Sequence, residues 1–283
     1  MLVKDSISLS TVQRKATYKL DILKRTILGS VANENKIEVV FEKEFLGADH
    51  KGNVFQIRLK ERTHSNKNEL YVIEHDLDLL KGNLVLRTNE KGEIIAVLNL
   101  KDIAQDWERH KDKFYKIHKS FEYIDDLMEE TKTLLNSQQL FLDMLRETEM
   151  VMLLFPPLYD SKLSLEQDLQ QKIVFNDFFG TEALPLKLTT SVKKMDLLNN
   201  KIEILREGKL DDEAFQHYEV RKYFRKLTDK YKLQTEVEVD YVETYGLDKY
   251  HWIDHAGQVL HVNIKGLFDY QQVVRITPLN KSL

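Results

Sequence analysis

The chain has 283 residues, 42% hydrophobic and 31% charged, with a formal net charge of −4. That length suits one large domain or two ordinary ones, and that mixture can bury a core. The charge disfavours nucleic acid as a partner of the whole chain, and the absence of cysteine excludes disulfides, thiolate metal sites and a thiol nucleophile.

In chain order, Thr17–Ile27 is weakly strand-like. Ile37, Val39, Phe41 and Phe45 then recur mostly in period two, which marks a half-buried strand. Gly47 and Gly52 bracket a polar turn, and Phe55, Ile57 and Leu59 give the return strand. Leu70–Asp76 reads as a third strand. Leu84–Thr88 and Ile94–Leu98 flank Asn89-Glu90-Lys91-Gly92, a hairpin signal. These elements form an antiparallel meander.

A long helical pattern follows from Asp102 to Phe155 and stops at Pro156-Pro157. Asp102 with Gln105 fits a capping box. Ile103, Trp107, Phe114, Ile117, Phe121, Ile124 and Met128 make an apolar stripe. About 54 residues at ~1.5 Å each would run roughly 80 Å. A compact body of this length is only about 50 Å across. A break is therefore expected between Thr131 and Gln138, with Asn136 capping a second helix and Gln139 as its reciprocal partner.

Beyond it, Ser164-Leu165-Glu166-Gln167 predicts a short helix to about Phe178. Leu184–Val192 and Ile202–Leu205 read as strands, Asp211–Lys232 as an inserted helix, and Thr235–Tyr245 as a strongly alternating strand. Tyr250–Ile253 and Val259–Ile264 flank a presumed turn at Asp254-His255-Ala256-Gly257, and Leu267–Val274 is a last short segment.

Asn35–Val40 matches Asn200–Leu205, and Gly92–Val97 matches Gly257–Val262 at the same offset. At that offset Tyr71–Asp76 falls on Glu236–Tyr241. The expected fold is therefore α+β: two related antiparallel β units, products of an internal duplication, joined by and packed on a central helical hairpin. The expected divisions are a first β unit over 1–101, a helical connector over 102–180 and a second β unit over 181–283, or one compact domain overall.

His251, His255 and His261 with Asp254 are the densest imidazole group, and His251 and His261 would face each other across the presumed hairpin. A metal site needs convergent ligands, whereas these histidines lie on a strand, a turn and a return strand and match Leu86, Glu90 and Ala96 in the first half, so His251 and His261 stand as weak candidates and no cofactor is expected. Glu213 and His217 would share a helix face, and Asp125, Asp126, Glu129 and Glu130 form an acidic patch. Both fit solvated surfaces. Arg221, Lys222, Arg225, Lys226, Lys230 and Lys232 are interleaved with Tyr218, Tyr223, Phe224 and Tyr231. Such a run can face phosphates, and it also fits an amphipathic helix that buries its aromatics.

No P-loop, G-x-G-x-x-G, G-x-S-x-G or H-E-x-x-H occurs. No apolar run reaches the ~18–20 residues of a membrane span. The expected compartment is the cytoplasm as the sequence stands, or the periplasm or envelope if a leader has been removed.

The stretch Leu84–Leu98, the helix from Asp102 and Tyr250–Ile264 together resemble bacterial envelope proteins of the lipoprotein-carrier type. The resemblance implies a curved sheet around apolar helices, holding an acyl chain or an apolar peptide. The leading expectation is a non-catalytic binding protein for an apolar ligand or partner segment. Its groove would be lined by Trp107, Phe114, Phe121, Met128, Met150, Met152 and Phe155. The alternatives are a protein–protein adaptor, scaffold or chaperone of a bacterial secretion or toxin–immunity system, and an enzyme with an unfamiliar site.

Overall fold

The computed structural model describes residues 7, 14–159, 168–196, 198–228 and 236–282. The strands are β1 (Lys15–Leu28), β2 (Val31–Asp49), β3 (Gly52–His64), β4 (Asn83–Thr88), β5 (Ile94–Val97), β6 (Leu169–Phe179), β7 (Glu182–Asp196), β8 (Lys201–Leu210), β9 (Val237–Leu247), β10 (Ile253–Ile264) and β11 (Phe268–Ser282). They form one antiparallel sheet in the order β5-β4-β3-β2-β1-β11-β10-β9-β8-β7-β6. The helices are α1 (Glu69–Leu77), α2 (Leu100–His118), α3 (Ile124–Leu135), α4 (Gln138–Arg146), α5 (Glu149–Leu154) and α6 (His217–Thr228). The protein is α+β.

The chain divides into two compact units. The described residues of one fall within Ser8–Leu20, Ile37–Ser161 and Ile276–Leu283. Those of the other are Ile7 and residues within Asp21–Lys36 and Lys162–Arg275.

In the first unit the meander forms as the alternation dictates. Phe45 pairs with Phe55 across the β2–β3 hairpin, and Leu86 pairs with Val97 across β4–β5. The turn Asn89–Gly92 closes as expected, with the Asn89 N–H donating to the Glu93 carbonyl at 2.9 Å. Leu70–Asp76 is helical, not a strand. The Asn68 side chain caps it by accepting from the Leu70 N–H, and Ile73 is its buried residue. Leu70 and Val72, which supplied the strand-like alternation, face solvent.

The helical stretch is four helices, not a hairpin. The expected break falls at Asn136–Ser137, and two more fall at Lys119–Tyr123 and Glu147–Thr148. Ser137, not Asn136, is the N-cap, and its hydroxyl accepts from the Leu140 N–H. Thr148 caps α5 in the same way through Val151. At the head of the stretch Asn99 takes the cap position expected of Asp102, and its side chain ties α2 to the sheet. It accepts from the Val85 N–H at 2.8 Å and donates to the Asn83 carbonyl at 2.9 Å. Arg146 donates from α4 to the Ile94 carbonyl at 2.8 Å, and α4 packs on β5.

In the second unit two expectations are corrected. The segment up to Phe178 is strand β6, antiparallel to β7, because Leu169, Gln171, Ile173 and Phe175 keep period two. The capping-box residues Ser164–Gln167 lie outside the described residues. The β9–β10 turn lies at Asp248–Trp252, where Asp248 Oδ1 accepts from the Tyr250 and Trp252 N–H groups at 3.0 and 3.1 Å. Asp254–Gly257 is therefore strand. These differences bear on the duplication. Tyr71–Asp76 is helical while its offset partner is strand, and the Asn89–Gly92 turn matches residues inside β10. The structure does not bear out two copies of one unit.

The core of this unit brings Leu184, Leu186 and Leu188 of β7 together with Leu260, Val262 and Ile264 of β10, under Val220 and Phe224 of α6. Beside it runs a buried polar row. Thr190, Arg206, Glu243 and Gln258 pair in direct cross-strand register on β7, β8, β9 and β10. The Arg206 guanidinium is ion-paired with Glu243, and it also donates to Gln171 of β6 at 3.3 Å. Glu243 further accepts from the Tyr241 and Tyr245 hydroxyls. Gln258 donates to the Tyr241 oxygen at 3.0 Å, and Gln272 of β11 donates to Gln258 at 3.0 Å.

Burial pushes both tyrosine phenols well above their ordinary value, and the Glu243 charge adds to that rise. Burial alone would lower Arg206, but Glu243 outweighs it and holds the guanidinium charged. Removing one member of a buried pair leaves the other charge uncompensated, at about 3–5 kcal/mol. Glu243→Leu is expected to lose about that much in urea unfolding, and Arg206→Met/Glu243→Leu to recover most of it. Equal losses for the single and double variants would show that the pair is not the source of the cost.

Candidate ligand-binding site

The helices of the first unit leave an open cleft of about 510 Å³ between α2 and α3. Trp107 and Leu135, both buried, and Ala104 give it apolar walls. Gln105, Glu108, Arg109, Lys132 and Asn136 form a polar rim. The rim charges are locally paired: Arg109 with Asp106 at 2.8 Å and Lys132 with Glu129 at 3.1 Å. A smaller cleft of about 240 Å³ also reaches Trp107, between α2 and the segment holding Leu80, Asn83 and Asn99. An apolar wall with a few polar groups, in the range of ~300–1,000 Å³, is the usual form of a small-molecule site. The indole serves both clefts from about two turns into α2, on the face where Ile103, Trp107 and Phe114 are buried in succession.

The groove residues expected from the sequence take different places. Trp107 and Phe114 are buried in edge contact, with ring centroids 5.3 Å apart. Phe114 also lies against His118, whose Nε2 is 2.8 Å from the Asp76 carboxylate. Phe121 is half-buried against Tyr123. Met128, Met150 and Met152 are half-buried on α3 and α5. Phe155 is buried just past α5, edge-on to Phe55 at 5.5 Å. Among these residues, Trp107 is the one that lines both clefts.

Phe155 marks a second feature. The Lys43 ammonium is fully buried between the rings of Phe55 and Phe155, 4.8 and 4.3 Å from their centroids, and donates to the Leu154 carbonyl at 3.2 Å. Two aromatic faces and the exposed carbonyl at a helix end are what a desolvated cation needs. The signal was present in the sequence. Lys43 sits in β2 on the same parity as Phe41 and Phe45, where a charged residue must point inward.

The histidine candidates do not converge. His251 is in the β9–β10 turn, with Nε2 3.3 Å from Asn200. His261 is on β10, between Asp269 at 3.0 Å and Asp240 at 3.7 Å. The extended backbone from Ile253 to His261 separates them by roughly 26 Å at ~3.3 Å per residue. They cannot share an ion, because the hairpin turn lies beside His251 and not midway between the two. Among the described residues no group of three or more His, Asp and Glu is placed to hold a metal.

Glu213 precedes α6 and pairs with Lys187, while His217 approaches Asp212 at 3.5 Å, so the two form no acid–base pair. In the acidic patch, Asp125 accepts a hydrogen bond from the Tyr115 hydroxyl, and Glu129 holds Lys132. Lys230, Tyr231 and Lys232 of the basic run lie outside the described residues.

With this geometry in hand, the comparisons with known proteins are brief. The sequence matches no family model and no curated protein. Among solved structures, the chain is similar to lipovitellin in a study of its lipid–protein interactions, with a TM-score of 0.50 and 10% identity. That likeness covers 95% of this chain and 25% of the lipovitellin chain. It therefore concerns the fold, and this chain spans a quarter of the length of that neighbour. A second structure, DynF from the dynemicin biosynthesis pathway of Micromonospora chersina, aligns over 97% of this chain and 85% of its own at 4% identity. Its TM-score of 0.21 carries no argument. Among the described residues no helix is long and apolar enough to cross a membrane.

Burial, then the nearby Arg14 guanidinium, bring the Lys43 ammonium from 10.5 down to about 7. The folded-state value lies below the unfolded one, so the unfolded chain binds the extra proton across that window. Stability is expected to rise as pH increases from about 7 toward 10.5. Lys43→Met is expected to remove that rise in pH-dependent urea unfolding, and to be more stable than the parent at pH below 7. An unchanged profile in the variant would show that Lys43 is not desolvated in solution.

Proposed function

We propose that this protein is a non-catalytic carrier of an apolar ligand, such as an acyl chain, held beside Trp107 on the helical side of its first unit. The observation that carries the reading is the open cleft between α2 and α3, with Trp107 and Leu135 in its walls and Arg109 and Lys132 on its rim. An acyl chain matches the apolar walls, and a polar head matches the mixed-charge rim. The lipovitellin-like sheet supports the same reading, since lipovitellin is a lipid-bearing protein on the same type of large sheet. The resemblance to lipoprotein carriers points the same way.

A second reading has its own observation. β6 ends the strand order, and Val174 on it is half exposed. An edge of this kind can accept a strand from a partner protein, as an adaptor would require.

Native mass spectrometry of the protein purified from its own source separates the two. The carrier reading predicts a bound small lipid, and its loss in Trp107→Ala with the fold intact by circular dichroism. A stoichiometric protein partner with no lipid would replace this reading with the adaptor. Lipid retained at full occupancy in Trp107→Ala would move the site away from the cleft.

A further inference from the structure

Helix α6 has a face that neither the core nor the cleft uses. Val220 and Phe224 point into the core of its unit, and the Tyr223 ring lies against Gly180. On the opposite side Tyr218, Lys222 and Arg225 follow at steps of four and three, so they form one stripe. Arg221 and Lys226 flank it. Tyr218 is 69% exposed, and Lys222, Arg225 and Lys226 are all exposed.

The stripe is basic. Within His217–Thr228 the only acid is Glu219, which is paired with Lys222 at 3.3 Å. Among the described residues neither Arg225 nor Lys226 has an ion-pair partner. Of the acids at the helix entry, Asp212 approaches His217 in the first turn at 3.5 Å, and the other two are engaged away from the helix. Buried Asp211 holds Lys172 and Lys187, and Glu213 holds Lys187. Positive charge is thus concentrated on one helix face of a chain whose net charge is −4.

We propose that this face docks on the surface of a membrane containing anionic phospholipid. The charge is complementary to such a surface, where each Lys or Arg contributes about 1 kcal/mol, or roughly fivefold in partitioning. The exposed Tyr218 ring suits the headgroup layer, which favours amphipathic aromatics. Val220 and Phe224 are already buried in the core of the unit, so the helix would lie on the bilayer without inserting. Nucleic acid fits less well. A single exposed aromatic offers no stacking series for bases. The proposal does not depend on the ligand cleft, and the two fail in different experiments.

The test is co-sedimentation of the full chain with phosphatidylcholine vesicles, with and without phosphatidylserine. Binding is expected only to the anionic vesicles, and to weaken as salt rises. Lys222→Gln/Arg225→Gln/Lys226→Gln is expected to lower the partition coefficient about a hundredfold, with circular dichroism and thermal midpoint unchanged. Tyr218→Ala is expected to lower it by a smaller factor. Absent binding, equal binding to neutral vesicles, or full binding by the triple variant would overturn the proposal. A single-stranded oligonucleotide that displaces the vesicles and binds more tightly through the same three residues would also overturn it, and would assign the face to nucleic acid.

Discussion

The second unit depends on one ion pair, Arg206 with Glu243, placed inside a sheet. An isolated charge there would carry a desolvation penalty of several kcal/mol. The penalty is met because the sheet supplies partners on the same face: Gln171 of β6 for the guanidinium, and Tyr241 and Tyr245 of β9 with Gln258 of β10 for the carboxylate. The direct pairing Thr190–Arg206–Glu243–Gln258 follows from strand register. A slip of one residue on β8 or β9 would turn one charge to the opposite face and leave the other buried alone. The polar row therefore fixes the register of the strands whose apolar residues pack under α6.

In the first unit the constraint lies where helices meet strands. Asn99 closes two backbone groups of β4, Arg146 reaches the end of β5, and Lys43 of β2 is fixed at the carbonyl end of α5. These contacts hold α2, α4 and α5 to their own sheet strands. α2 is fixed at its head, α3 follows it after the Lys119–Tyr123 break, and the cleft at Trp107 lies between the two. The cleft thus lies where the helical stretch is broken into separate helices. One unbroken amphipathic helix would have used Trp107 for packing alone.

Much of this was legible in the sequence. The alternation in β2, β3, β7 and β9, the hairpin at Asn89–Gly92 and the break near Asn136 all follow from residue types and spacing. Three local readings went the other way. Leu70 and Val72 imitate a strand because two exposed apolar residues of a helix happen to stand two apart in sequence. Leu169–Phe175 was hidden behind a capping-box pattern upstream. The β9–β10 turn is made by the Asp248 side chain, which has no Gly-rich signature, whereas Gly257 sits within a strand. The polar interior was readable in principle. Lys43, Arg206, Glu243 and Gln258 each occupy the inward parity of an apolar alternation, and that exception signals a buried partner. The cleft was only partly legible: periodicity places Trp107 on the inner face of α2, but the gap beside it depends on how α3 packs against α2, which spacing does not encode.

The central claim is that an apolar ligand sits between α2 and α3. Photo-crosslinking with a diazirine-bearing fatty acid, followed by peptide mapping, tests it most directly. The account predicts adducts confined to the peptides carrying Ala104–Arg109 and Lys132–Asn136, competed away by unlabelled fatty acid. Adducts spread over the surface without competition, or confined to the sheet strands of the second unit, would contradict it.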